Sequence, residues 1–205
     1  MNQIKKNICF SNYIKTDTIL FIGGTHGNEK SGSIALLDYN FNNSNKNIIN
    51  IPKVNPYGFR KNIRYDFNGI DMNRCYGLKD YQYLDDKIKN TIKFIEKQVF
   101  KADYIFDFHE AKGFRVLDSK SVGNTIITEN NRDIADFIVK KMNENLPKDK
   151  HFMLHQNKKS ISSSLRNFCI QNDKKYCLIE ISKDQNISER VQICKKIIDI
   201  CMDII

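Results

Sequence analysis

Short apolar runs alternate with helical stripes along this chain, and that alternation limits the possible folds more than any other feature. Ile19–Ile22 and Tyr104–Phe108 read as buried strands, and Tyr176–Ile181 reads as another, with Glu180 inside its apolar run. Leu84, Ile88, Ile92, Ile95 and Val99 recur at helical spacing, and so do Ile187, Val191, Cys194, Ile198 and Cys201. Strands that alternate with helices form α/β layers rather than separate α and β parts. The expected fold is α/β: a mixed, mostly parallel central sheet flanked by helices, in a single domain over residues 1–205. A chain of this length can bury on the order of 70% of its unfolded surface.

The remaining segments fill in that frame. Ile4–Phe10 is a candidate first strand, Gly32–Tyr39 a helix, and Ile48–Val54 a strand that Pro52 places at an edge or an end. Gly113–Ser121 reads as loop and short strand, Thr125–Thr128 as a strand, and Ile134–Met142 as a helix. A short strand at Phe152–Leu154, a polar loop at Gln156–Ser160 and a helix over Ser163–Ile170 follow. Asn55–Lys79 has no sustained period, and a long loop inside a compact domain points to function.

Composition excludes several classes. No apolar run approaches the ~20 residues of a membrane helix, and the first ten residues carry no stretch of signal-peptide length. The expectation is a cytoplasmic protein with no membrane partner. The formal net charge of +9 is scattered, without a dense Lys/Arg cluster interleaved with aromatics, so a nucleic-acid partner is not expected. A positive field favours an anionic small molecule or a short peptide as substrate. The six cysteines form no CxxC pair and read as reduced core residues. Oligomeric state is left open.

Ile19–Ile22 ends at Gly23-Gly24, and His26 and Glu29 stand three residues apart on the turn that follows. That spacing lets an imidazole and a carboxylate reach one metal ion. His109, just past the strand Tyr104–Phe108, supplies a third donor, because the carboxyl ends of neighbouring strands in an open α/β sheet meet in one crevice. Two histidines and a glutamate leave a fourth position for water, which is a catalytic rather than a structural zinc set. Glu180, on an apolar strand, is costly to bury without a purpose.

The order His26-Gly27-Asn28-Glu29, Asn55-Pro56, Arg64-Tyr65, Asp71-Met72-Asn73-Arg74, Asp107-Phe108-His109 and Glu180 resembles the zinc carboxypeptidase superfamily. It is most similar to the aspartoacylase and succinylglutamate desuccinylase branch. The resemblance implies one Zn2+ per chain on His26, Glu29 and His109, with Asp71 behind His26. It implies Glu180 as general base, Arg64 as the residue that polarises the scissile carbonyl, and Asn73 and Arg74 as the holders of a free α-carboxylate. Arg166 or Ser163 would contact a second acidic group. The implied activity is deacylation of an N-acyl amino acid; the alternatives are a metallocarboxypeptidase and a catalytically silent binding domain. Where carboxypeptidases place a mobile tyrosine before the late glutamate, this chain has none between Asn157 and Lys175, and Tyr176 lies nearer to Glu180.

Overall fold

The computed structural model describes residues 16–42, 44–155 and 161–205. Six strands, β1 (Thr18–Gly23), β2 (Asn47–Ile51), β3 (Tyr104–Ala111), β4 (Thr125–Ile127), β5 (Met153–His155) and β6 (Lys175–Ser182), form one sheet in the order β2-β1-β3-β6-β4-β5. The pairs β1–β2, β1–β3, β3–β6 and β4–β5 are parallel, and β4 runs antiparallel to β6. The mixed, mostly parallel sheet expected from the sequence is therefore present. The helices are α1 (Ser31–Asp38), α2 (Pro56–Lys61), α3 (Asp86–Lys101), α4 (Arg132–Asn143), α5 (Leu165–Gln171) and α6 (Ile187–Ile204).

Alternation along β1 divides the core in two. Ile19 and Phe21 join a cluster with Ala35 and Leu36 of α1, Ile138 of α4 and Ile197 of α6. Leu20 and Ile22 face the other way, onto Ile92 and Ile95 of α3 and Leu165 of α5. Each central strand is thus covered on both faces, which is why these strands read as apolar runs rather than as alternating patterns. Asp85 caps α3, and Asn186 with Glu189 closes a capping box on α6. No helix among the described residues is long and apolar enough to cross a membrane.

Several expectations are corrected. Strand β3 runs to Ala111, so His109 lies within the strand rather than past its end, because pairing with β6 continues through His109, Glu110 and Ala111. Residues 55–79 are not wholly irregular: Asn55 accepts from Gly58 N, Pro56 takes the first helical position and α2 forms, followed by a 3-10 turn at Met72–Arg74. Gly113–Ser121 forms turns and no strand. The strand proposed at Ile4–Phe10 lies outside the described residues, as does Cys9; the other five cysteines are free and buried.

Candidate metal centre and cleft

Because β1, β3 and β6 are adjacent and parallel, their carboxyl ends share one edge of the sheet. Gly24 leaves β1 at φ +68, where a side chain would be strained, and the turn that follows carries His26 and Glu29 over that edge. His109 reaches the same point from β3. His26 Nδ1 lies 2.9 Å from Glu29 Oε1, His109 Nδ1 lies 2.9 Å from Glu29 Oε2, and the two ring nitrogens are 3.2 Å apart. All three residues are buried, and one donor atom from each falls within 4.8 Å of the others. Two imidazole nitrogens and a carboxylate aimed at one point suit a divalent first-row cation. Burial alone would raise the Glu29 carboxyl, but hydrogen bonds from His109 and His26 outweigh it and hold the group well below the usual carboxylate range. Burial would likewise lower His109, yet Asp107 and Glu29 raise it well above an ordinary imidazole.

The outward nitrogen of each ring is backed by a carboxylate. His26 Nε2, buried and without a hydrogen-bond partner among the described residues, faces Asp71 Oδ1 at 3.3 Å, and His109 Nε2 lies 3.1 Å from Asp107 Oδ2. Both rings therefore present Nδ1 to the common point, with Nε2 turned toward an anion that fixes ring orientation. Asp107 is fully buried and also accepts from the Tyr176 hydroxyl at 2.9 Å. Asp71 accepts from Arg64 Nε at 3.1 Å and Nη2 at 2.9 Å. Burial opposes its ionisation, but His26 and then Arg64 prevail and keep it ionised well below the usual range.

Arg64 is placed by its backbone. Its carbonyl accepts from Gly27 N and from Asn55 Nδ2, each at 3.3 Å, so the HxxE turn and the loop after β2 are tied through one residue. The two segments touch so closely that a Cβ on Gly27 would stand 2.0 Å from the Gly58 carbonyl carbon. Arg64 Nη1 then points at the centre, 3.3 Å from His26 Nδ1 and 3.6 Å from Glu29 Oε1.

A cleft of about 210 Å³ opens from this point, and Arg74, Arg166, Tyr176 and Glu180 are among its lining residues. Glu180 stands directly across the β3–β6 ladder from His109. Burial pushes its carboxyl up to about 7; His109 partly offsets this, and Glu29 adds to it. Asn73 also reaches the cleft, with its Oδ1 accepting from Leu165 N, while its backbone carbonyl accepts from Arg74 Nη1 at 2.6 Å. Arg166 lines the cleft paired with Glu129. Ser163 does not: it sits at φ +59 with its carbonyl taking Tyr76 N, and the serine at the wall is Ser164, the cap of α5. Glu110 is turned away from the centre, where it accepts from Ser31 N at 2.8 Å and Arg190 Nη1 at 2.5 Å.

Two contributors had visible but unread signals. Asp107 and Asn55 belong to the motif, yet their roles as the partner of His109 and the anchor of Arg64 appear only in three dimensions. Glu129 has no local signal, since its partner lies 37 residues away.

Residues 15–118, about half of the chain, match the family model described as the succinylglutamate desuccinylase/aspartoacylase catalytic domain. The chain belongs to that family. Both named activities break an amide bond, and this family domain carries the three candidate metal donors together in its buried centre. Among solved structures it is similar to the mDAP-bound form of Helicobacter pylori Csd4, a D,L-carboxypeptidase, with a TM-score of 0.79 and 19% identity over 92% of this chain and 50% of that one. It also resembles the murein-tripeptide amidase MpaA of Escherichia coli O157, with a TM-score of 0.64 and 13% identity over 90% and 80% of the two chains. These likenesses show a shared fold. The family chain described here spans about half the length of Csd4. Comparison with curated proteins gives no match.

Proposed function

We infer that the protein is a zinc-dependent hydrolase that cleaves an amide bond next to a free carboxylate, removing the acyl group from an N-acyl amino acid. The observation that carries this reading is the convergence of His26, Glu29 and His109 at one buried point, with Glu180 across the ladder and Arg74 in the same cleft. A bound zinc supplies a Lewis acid and draws the pKa of water toward ~7.

The chain's own residues supply the rest. Arg74, whose guanidinium is held only by the Asn73 carbonyl among the described residues, offers its remaining donors to the substrate carboxylate. Arg64 aims Nη1 at the centre while Asp71 holds its other nitrogens, so a donor is already oriented where negative charge develops on the carbonyl oxygen. The Glu180 carboxyl has no hydrogen-bond partner among the described residues, and its raised pKa suits a group that takes a proton from water and returns it to the leaving nitrogen. Asp71 and Asp107 keep the ring nitrogens of His26 and His109 aimed inward. Release of a terminal amino acid from a peptide uses the same residues. Its support is the fold shared with Csd4 and MpaA, a carboxypeptidase and a tripeptide amidase.

Metal analysis after repletion is the first test, with about one zinc per chain in the wild type and less than half an equivalent in His26→Ala expected. A substrate panel follows. Turnover of N-acetyl or N-succinyl amino acids without turnover of peptides of three or more residues supports the deacylase reading. The opposite pattern supports the carboxypeptidase, and zinc binding indifferent to His26→Ala removes the basis of both.

A further inference from the structure

Successive residues of β3 point to opposite faces of the sheet, so His109 enters the cleft while the side chain of Glu110 enters the layer of α1 and α6. There Oε1 accepts from Ser31 N at 2.8 Å, and Oε2 accepts at 2.5 Å from Nη1 of Arg190, in the first turn of α6. Ser31 opens α1, and Lys30 at the cap position makes no side-chain cap, so an unpaired N–H of that helix is satisfied from another strand. The backbone of Glu110 serves the metal centre instead, its N–H donating to Glu29 Oε2 at 3.1 Å. Among the described residues, that is the one hydrogen bond of the Glu29 carboxylate not shared with an imidazole. Glu110 thus grips the HxxE turn twice, at the Glu29 side chain and at the backbone two residues further on. Its charge is answered by Arg190, the two side chains being 1% and 16% exposed.

We propose that Glu110 is a positioning residue for the metal centre: by holding Ser31 N it fixes the orientation of the Glu29 carboxylate, and Arg190 keeps it in place from α6. The proposal rests on the zinc reading given above. The imidazole nitrogens that touch Glu29 are the donors a metal takes, so in the loaded protein the Glu110 amide is the contact left to orient the carboxylate. The Ser31 hydrogen bond holds that amide and the turn in one register. One side chain thereby ties β3, α1 and α6 together, and the turn that carries two of the three candidate donors is located against the sheet rather than by its own bonds alone. An outer partner of this kind changes metal affinity by about 10–100-fold. A carboxylate that acted through charge alone would have no use for the Ser31 contact.

Two charge-balanced double variants separate this role from charge and from fold stability. Both remove the ion pair whole, which leaves no lone buried charge. E110M/R190M has no side-chain acceptor for Ser31 N, whereas E110Q/R190M keeps an amide oxygen for it. Competition against a chromophoric chelator is expected to give E110M/R190M a zinc Kd about tenfold or more above wild type, and E110Q/R190M one within about threefold. The visible spectrum of cobalt-loaded protein, which reports ligand geometry, is expected to shift in E110M/R190M alone. Urea midpoints of the metal-free proteins show how far each variant weakens the fold; a purely structural role lowers them and leaves the Kd values and spectra at wild type. Should E110M/R190M not fold, hydrogen exchange of wild type decides. Linkage is reciprocal, so zinc is expected to slow the Ser31 amide at least about tenfold more than the core amides of α4. A wild-type Kd in E110M/R190M, equal weakening in the two double variants, or an equal effect of zinc on the two sets of amides overturns the proposal alone. A wild type that takes up no zinc overturns the metal reading and the proposal together, so the two failures are told apart.

Discussion

Replacing Asp107 with asparagine isolates the contribution of the carboxylate behind His109. The shape is retained, so a single oxygen can still accept from Tyr176 and from His109 Nε2, now as a neutral acceptor. Charge-assisted hydrogen bonds contribute roughly 1.5–3 kcal/mol and neutral ones about 0.5–1.5, so each contact loses on the order of 1 kcal/mol. The imidazole becomes less basic and less firmly oriented, and changes to such a partner reduce metal affinity by about 10–100-fold, or about 1.4–2.7 kcal/mol. The loss at the His109 contact alone places the expected effect toward the lower end of that range. The asparagine amide also places a donor where Asp107 Oδ1 has no partner among the described residues, so Tm falls as well. The assay is competition for zinc against a chromophoric chelator at fixed near-neutral pH, with Tyr176→Phe as comparison. That variant removes one hydrogen bond and leaves the charge, so its zinc affinity changes by less than about threefold. A D107N protein that binds zinc within about threefold of wild type would falsify the role assigned to Asp107.

Two further outcomes follow from the same geometry. In chelator-treated protein, the Glu180 carboxyl titrates near 7 folded against 4.5 unfolded, so its ionisation costs the fold stability. Wild type therefore loses stability relative to Glu180→Gln as pH rises from about 4.5 to about 7, with no further change above. Urea midpoints at about pH 5 and pH 8 measure this, and an unchanging gap between the two proteins refutes it. Gly27→Ala forces a Cβ to within 2.0 Å of the Gly58 backbone, an overpacking of about 1–3 kcal/mol that lowers Tm by roughly 3–10 °C. An unshifted Tm would show that the two loops are not locked together as described.

What the sequence discloses depends on how local the cause is. Ile19–Ile22 and Tyr176–Ile181 are legible because strands buried on both faces need unbroken apolar residues. The motif residues of the centre are legible as types at intervals. Helix α2 is hidden because six residues with Gly58 inside are too few to show a helical period, and the Asn55-Pro56 start signal is shared with turns. Apolarity alone ends the strand before His109, because the residues that continue the ladder with β6, His109 and Glu110, are polar. Pairing over distance is the least legible. Glu129 with Arg166 and Glu110 with Arg190 are each ordinary surface charges in the sequence, and only the fold turns them into internal ion pairs.

The ladder that sets His109 against Glu180, and Gly23 against Phe108, has a consequence for quality control during folding. A slip of one residue along β3 turns every side chain to the opposite face and would carry His109 away from the point where His26 and Glu29 wait. Two donors on the turn after β1 and one on β3 can meet only when these two parallel strands are correctly paired. On the zinc reading proposed above, capture of the ion would therefore proofread the central sheet, and zinc uptake in a refolding mixture would count correctly registered molecules before any substrate is added.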